Sequence, residues 1–346
     1  MKSTPLTKPN IPHLILKKRL KIAVLGGGSW ATALVKVLTE NKRNVGWYVR
    51  NPINANFIIK YHHNPNYLSA ATLKTKRLKI SSDLNEVVTK ADLLILAIPS
   101  AFLSIELDQL NQPIDNKIIF SAIKGVVPES MLIVGEHFNK RFNVPMEKIG
   151  VILGPSHAEE VAMERLSYLT VACMDTRLAK AVASMLETKY ILTTISNDIL
   201  GTEYASMLKN IYAIASGIAH ALGYGDNFQS VLMSNAIREM KRFIKDVYKM
   251  KRNINNSAYL GDLLVTGYSV FSRNRSFGSM IGKGYSVKAA QMEMRMIAEG
   301  YYATQSARLI NQKYQTRVPI IDSIFSILYE GKNPERVIKK LIKKLD

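Results

Sequence analysis

The residues best suited to chemistry lie in a few short stretches of this chain. Gly26 and Gly28 follow the apolar run Ile22-Ala-Val-Leu25 and precede Ser29-Trp30-Ala31. In that order Gly26 permits a tight turn, Gly28 lets the backbone approach a pyrophosphate, and a following helix aims its free amides at the anion. Ala31 stands where the third glycine of a dinucleotide fingerprint also accepts alanine. Arg50 ends the next apolar run, where NAD-binding chains usually carry an acid. There it either meets a 2′-phosphate, so that NADP is at least accepted, or is an exposed cation at a strand end.

Further along, Lys124-Gly125 closes another apolar run, at the sheet edge where open parallel sheets bind ligands, although a solvated lysine explains it as well. Leu153-Gly-Pro-Ser156 ends a run of the same kind. Ser156 and Glu159 have capping-box spacing, a structural explanation without any ligand, yet the same helix start is an anion site. Lys209 sits among apolar and small neighbours from Ala205 to Ala215, either snorkelling from a helix edge or desolvated with a lowered pKa. Asp262 lies in an apolar context where it needs a cationic partner. Ser272-Arg-Asn-Arg275 is a polar, basic loop able to grip a phosphate bidentately. The pair His62-His63 lacks a carboxylate or cysteine at ligand spacing, so no metal is expected. No nucleophile-elbow glycine pattern supports hydrolase chemistry.

The elements that must position these groups follow from periodicity. Short β-type runs at residues 21–25, 45–49, 92–98, 118–122, 149–153, 168–174 and 190–194 alternate with helical patterns at 30–40, 101–110, 129–142, 156–164 and 177–186. That alternation predicts an α/β fold with a parallel sheet covered on both faces. After about residue 196 only helical spacing remains, as in Leu208, Ile211, Ala215, Ile218 and Leu222. The expected organisation is a basic extension over 1–20, a Rossmann-like dinucleotide-binding domain over 21–195 and an all-helical domain over 196–346.

The whole chain, 346 residues with 47% hydrophobic and 21% charged, is globular in composition and holds no run long enough to span a membrane. The first twenty residues lack a secretory pattern, and the single Cys173, inside an apolar run, fits a reducing cytoplasm. A net charge of +20 suits nucleic acid, an anionic membrane surface or a phosphorylated small molecule. The basic residues are scattered apart from a C-terminal cluster, Arg336 to Lys344, with the spacing of a solvated helix face, so no nucleic-acid partner is expected.

Taken in order, Gly-Gly-Gly-Ser-Trp-Ala at 26–31, Lys-Gly at 124–125, Gly-Pro-Ser-His-Ala-Glu-Glu at 154–160, Lys-Asn at 209–210, Leu-Gly-Asp-Leu at 260–263, Ser-Arg-Asn-Arg at 272–275 and Glu-Gly-Tyr at 299–301 resemble the NAD(P)-dependent glycerol-3-phosphate dehydrogenases. The resemblance implies reversible hydride transfer between NAD(P)H and dihydroxyacetone phosphate, giving sn-glycerol 3-phosphate for glycerophospholipid synthesis. It implies Lys209 as catalytic acid/base, Lys124 polarising the carbonyl and touching cofactor and substrate, and Asp262 orienting the substrate hydroxyl and Lys209. Gly154 and Ser156 would line the substrate cleft, and Ser272, Arg273 and Asn274 would hold the phosphate. Ser29, Trp30, Arg50, Ala158, Arg273, Ile297 and Glu299 match cofactor-contact positions. Two departures, Ala205-Ser206 in place of a glycine pair and Tyr259 in place of a glycine, add side chains near the expected site. A homodimer and weak peripheral membrane association are compatible with this reading. A β-hydroxyacid or 6-phosphogluconate-type dehydrogenase and a non-catalytic cofactor sensor are the alternatives.

Overall fold

A computed structural model describes residues 20–294 and 298–345. The predicted basic extension therefore falls almost entirely outside the described residues, as does Ile297.

The first half is a sheet with helices on both faces. Its strands are β1 (Ile22–Leu25), β2 (Val45–Tyr48), β3 (Leu78–Ser81), β4 (Leu93–Leu96), β5 (Ile118–Ser121), β8 (Ile149–Leu153), β9 (Ser167–Cys173) and β10 (Ile191–Ser196), in the order β10-β9-β8-β5-β4-β1-β2-β3. The intervening β6 (Val126–Val127) and β7 (Leu132–Ile133) form a separate hairpin. All four residues of β1 are buried, Ile22 and Val24 into one core and Ala23 and Leu25 into the other. Burial on both faces is why these strands read as continuous apolar runs instead of alternating ones.

One face packs on α1 (Ser29–Glu40), α2 (Pro52–Tyr61), α6 (Ala158–Ala162) and α7 (Thr176–Leu186); the other packs on α3 (Leu84–Thr89), α4 (Ser100–Leu107) and α5 (Val134–Phe142). Three features differ from the sequence expectation. The sheet is not wholly parallel, because β9 pairs antiparallel with β8 while β10 runs parallel to β9. The segment α2-β3-α3 went unpredicted: β3 is a half-exposed four-residue edge strand and α3 is six residues long, too short for periodicity to register. The helix expected from 129 begins at Val134, because the hairpin occupies the preceding residues.

Beyond β10 the described residues form helices: α8 (Ile199–Ala221), α9 (Asp226–Val247), a π-turn (Ser257–Gly261), α10 (Asp262–Tyr268), α11 (Arg273–Gly282), α12 (Val287–Glu293), α13 (Glu299–Tyr314), α14 (Pro319–Leu328) and α15 (Pro334–Ile342). Nearly every residue of α8 is buried, so it is the axis of this half, apolar all round. Glycines bring α11 against it: a Cβ on Gly278 would lie 2.2 Å from the Ile214 carbonyl oxygen, and one on Gly217 2.0 Å from that of Arg275. Only backbone-to-backbone packing allows this approach, and it sets the N-terminus of α11 beside the middle of α8.

Candidate functional site

The strand order reverses at β1, whose neighbours are β2 on one side and β4 on the other. Ligands of open α/β sheets bind beyond the strand ends at such a point. Here an open cleft is lined by Gly28, Ser29 and Trp30 after β1, Ala97–Pro99 after β4, Ala122–Lys124 after β5, Ser156–Glu159 after β8, and residues of the helical half.

The turn after β1 needs glycine at 26. Its φ is +126°, and a Cβ would stand 2.5 Å from the Ala97 carbonyl oxygen. Gly28 is the N-cap of α1 and supplies no side chain to its first-turn amides. A Cβ there would meet nothing within 4 Å, so the turn opens onto the cleft. Trp30 Nε1, beside it, is buried without a hydrogen-bond partner. Open amides at a helix start, an open glycine and an unsatisfied donor fit a dinucleotide.

Opposite stands the ionic centre. Lys209, near the middle of α8, is 3% exposed; Asp262, at the start of α10, is 1% exposed. Lys209 Nζ donates to Asp262 Oδ1 and, at 3.0 Å, to Thr266 Oγ1. Thr266 lies one turn beyond Asp262, on the same helix face. Lys124 Nζ reaches the same Oδ1 at 3.5 Å and donates to the Gly154 carbonyl at 3.0 Å. Two ammonium groups thus share one carboxylate, while Asp262 Oδ2 is buried and unpartnered. Burial drives the Lys209 pKa down to about 7; Asp262 opposes that shift and Lys124 reinforces it. Lys209 is therefore desolvated, not snorkelling. His157 Nε2 is also buried without a partner, and burial with the Lys124 and Lys209 charges lowers its pKa to about 4, leaving a neutral imidazole on the cleft wall.

A run of amides ties both halves together behind these charges. Asn210 Nδ2 donates to the Lys124 carbonyl at 2.7 Å, Asn274 Nδ2 donates to Asn210 Oδ1 at 2.9 Å, and the Gly300 amide donates to Asn274 Oδ1 at 2.8 Å. Glu299 bonds Ser100 through both the Ser100 amide and its hydroxyl. Burial raises the Glu299 pKa, and those Ser100 bonds oppose the rise. Ser272 caps α11 by accepting from the Arg275 amide, which sets Arg273 and Asn274 at the cleft.

The cleft wall therefore unites Gly28, Ser29, Trp30, Lys124, Ser156, Ala158, Lys209, Ser272, Arg273, Asn274 and Glu299. Gly26, Gly154 and Asp262 stand just behind it. Arg50 does not line it: its guanidinium lies beyond the end of β2, paired with Glu106 of α4 at 2.9 Å. The acid missing from the end of β2 is thus supplied from another element. The capping box does not form, since α6 begins at Ala158 and Ser156 Oγ instead donates to the Gly154 carbonyl at 3.1 Å. Neither sequence departure crowds the cleft. Ala205 and Ser206 are buried within α8, and the Tyr259 hydroxyl is turned to Asp198 Oδ2 at 2.6 Å. Sequence reasoning missed Ser100, Thr266 and His157; the spacing of Asp262 and Thr266 was the one readable signal.

Comparison with known proteins gives a consistent result. Residues 21–179 match the model of the NAD-dependent glycerol-3-phosphate dehydrogenase N-terminus, and 198–339 that of its C-terminus. The chain is 33% identical over 325 residues, 93% of its length, to glycerol-3-phosphate dehydrogenase [NAD(P)+] of Macrococcus caseolyticus, of which 98% is covered. It is likewise 33% identical over 324 residues to the Bacillus subtilis protein of the same name, covering 93% of this chain and 94% of that one. Among solved structures, glycerol-3-phosphate dehydrogenase of Coxiella burnetii superimposes with a TM-score of 0.86 at 27% identity, over 94% of this chain and 99% of that one. A D-mandelate dehydrogenase shares the fold, with a TM-score of 0.62 at 16% identity over 92% of this chain and 99% of that one.

Proposed function

Since the chain belongs to the NAD(P)-dependent glycerol-3-phosphate dehydrogenase family, we propose that its cleft interconverts dihydroxyacetone phosphate and sn-glycerol 3-phosphate, with Lys209 as the proton donor and acceptor. The observation that carries the assignment is the buried Lys209–Asp262–Lys124 group, in which a desolvated lysine with a pKa near 7 faces the cleft. A group with that pKa gives and takes a proton with little driving force wasted.

A nicotinamide bound in this cleft would supply the hydride chemistry at the carbonyl carbon, in either direction. Everything else falls to this chain. Gly26, Gly28, Ser29, Trp30 and Ala158 hold the cofactor beside the first helix, with Arg273, Glu299 and Arg50 as further contacts and Ile297 as a match outside the described residues. Lys124 directs its ammonium at the carbonyl oxygen and withdraws electron density. Lys209 then delivers a proton to that oxygen, leaving a neutral amine; Asp262 keeps it oriented. Gly154 and Ser156 border the substrate. Ser272, Arg273 and Asn274, at the N-terminus of α11, grip its phosphate through the guanidinium and helix-start amides. On this reading residues 21–195 carry most of the cofactor contacts and 196–346 the acid and the phosphate loop, adding Arg273, Glu299 and the matched Ile297 to the cofactor contacts.

We extend the proposal to a cytoplasmic enzyme supplying glycerophospholipid synthesis and acting as a homodimer, supported by the exposed Leu192 and Ile195 on the edge strand β10. Weak attachment to anionic membranes is supported by the basic face of α15, where Arg336, Lys339 and Lys340 lie opposite Val337, Ile338 and Leu341. The deciding experiment follows reduced-nicotinamide absorbance on adding dihydroxyacetone phosphate to the purified protein. A fall confined to this substrate, absent with 2-oxo acids, supports the reading; a fall only with 2-oxo acids rejects it.

A further inference from the structure

Glu106 is a carboxylate with an unusual placement. It lies near the end of α4, is 3% exposed, and reaches across to the end of β2. Its Oε1 accepts from Arg50 Nη1 at 2.9 Å, and its Oε2 accepts from the Tyr48 hydroxyl at 2.6 Å. Burial, reinforced by Glu106, holds the Tyr48 phenol well above its ordinary pKa, so Tyr48 is a fixed donor and pins the carboxylate in place. The Arg50 side chain, by contrast, is 68% exposed. One edge of its guanidinium is committed to Glu106, and the rest faces outward.

Resting on the family reading above, we propose that Glu106 is a specificity-determining residue that sets the NAD against NADP preference by partly neutralising Arg50. A lone guanidinium at the end of the second strand would attract a 2′-phosphate with its full charge and a bidentate fork. Here the phosphate meets a guanidinium already hydrogen-bonded to an anion, and must approach that anion as well. A ribose 2′-hydroxyl carries no charge and pays no such penalty. Discrimination therefore arises from a repulsive element beside the attractive one. The pair makes this chain accept both cofactors instead of selecting strongly for the phosphorylated one.

The test reads cofactor binding directly, by calorimetric titration of the full-length protein with NADH and with NADPH, without substrate. Glu106→Gln keeps the shape and an acceptor for Tyr48 but removes the charge. It should tighten NADPH roughly tenfold, the scale of one charge-assisted contact, and leave NADH within about twofold. Arg50→Gln, whose amide can still donate to the buried Glu106 and whose folding is checked by thermal unfolding, should weaken NADPH at least about tenfold and NADH far less, because it also unmasks Glu106. An NADPH/NADH affinity ratio that stays within about twofold of wild type in either variant would overturn the proposal. Failure of the wild type to bind either nucleotide would instead sink the dehydrogenase reading itself.

Discussion

Two lysines of this chain are buried almost equally, and only one is set up to react. Lys36 on α1 is 6% exposed and Lys209 on α8 is 3% exposed. Around Lys36 stand two carboxylates and a phenol: Nζ lies 2.6 Å from Glu40 Oε1, 3.1 Å from Glu164 Oε1 and 3.3 Å from the Tyr190 hydroxyl. Around Lys209 stand one carboxylate and a second ammonium. Burial penalises the charged form in both places; what differs is how much negative charge offsets it. A surplus of anion makes Lys36 a tie between α1, the end of α6 and β10. A deficit makes Lys209 a group that can release its proton, and the cleft beside it gives the proton somewhere to go.

The sharpest way to break this comparison is to remove each lysine in turn. Lys209→Met should lower turnover with dihydroxyacetone phosphate by roughly two to four orders of magnitude, the usual share of general acid–base catalysis, while titration still detects cofactor binding. Lys36→Met should do the opposite. Glu40 and Glu164 keep partial solvent access, so the loss should be about 2 kcal/mol, below the figure for a fully buried pair, with kcat/KM unchanged. Equal loss of activity in both folded variants would mean that charge balance does not distinguish them.

Arg273 brings a third cation to the cleft, where Glu299 is the carboxylate near it, already engaged by Ser100, so a phosphate can still join its guanidinium. Arg273→Lys keeps the charge but loses the fork and should cost roughly ten- to a hundredfold in kcat/KM, from about 1.5–3 kcal/mol for a contact to a charged ligand. Dihydroxyacetone is the control, since it lacks the phosphate. Arg273→Ala should shrink the preference for the phosphorylated ketone; an equal fall with both ketones would assign Arg273 to the cofactor or to the fold.

The pH profile measures the deficit itself. Carbonyl reduction needs Lys209 as ammonium, so kcat/KM for reduction, which follows the ligand-free enzyme, should fall as pH rises through about 7, by about tenfold per pH unit beyond it. Alcohol oxidation needs the neutral amine and should rise over the same range. Lys124→Gln removes the second cation, which helps lower the Lys209 pKa, so its descending limb should move to higher pH whatever its absolute rate. A limb that stays in place would show that Lys124 does not set the charge state.

How much of this was readable in advance follows the range of each interaction. The turn after β1 and the strands around it are local patterns of glycine and apolar residues, and they were legible. The axis helix α8 was legible as periodicity, but the state of Lys209 was not, because it depends on Asp262 and Lys124, 53 and 85 positions away in a sequence that names no partners. Only the resemblance linked those three motifs before the structure did. Arg50 shows the converse: its local context pointed to a free cation, and a carboxylate from α4 changed that. The antiparallel step at β9 is likewise a matter of sheet pairing, which alternation alone does not encode.

The smallest predicted effect lies at Tyr259, the residue whose side chain was expected to disturb the site. Its hydroxyl donates to Asp198 Oδ2 at 2.6 Å, within a balanced group: Arg252 Nε donates to the same oxygen at 2.7 Å, and the Gly201 amide caps onto Oδ1 at 3.0 Å. One cation meets one anion here, so the group lies between Lys36, which has two carboxylates, and Lys209, which shares its one carboxylate with a second ammonium. Tyr259→Phe therefore removes one of several bonds to a carboxylate that stays paired. It should cost about 1 kcal/mol in denaturant unfolding and leave kcat and KM within about twofold of wild type. The π-turn holding Tyr259 leads directly into Asp262, so a real mechanical link would appear as a shifted pH limb in Tyr259→Phe at nearly unchanged stability. That outcome would extend the reactive region from three charged side chains to the strut behind them, and charge count alone would no longer separate the two kinds of buried lysine.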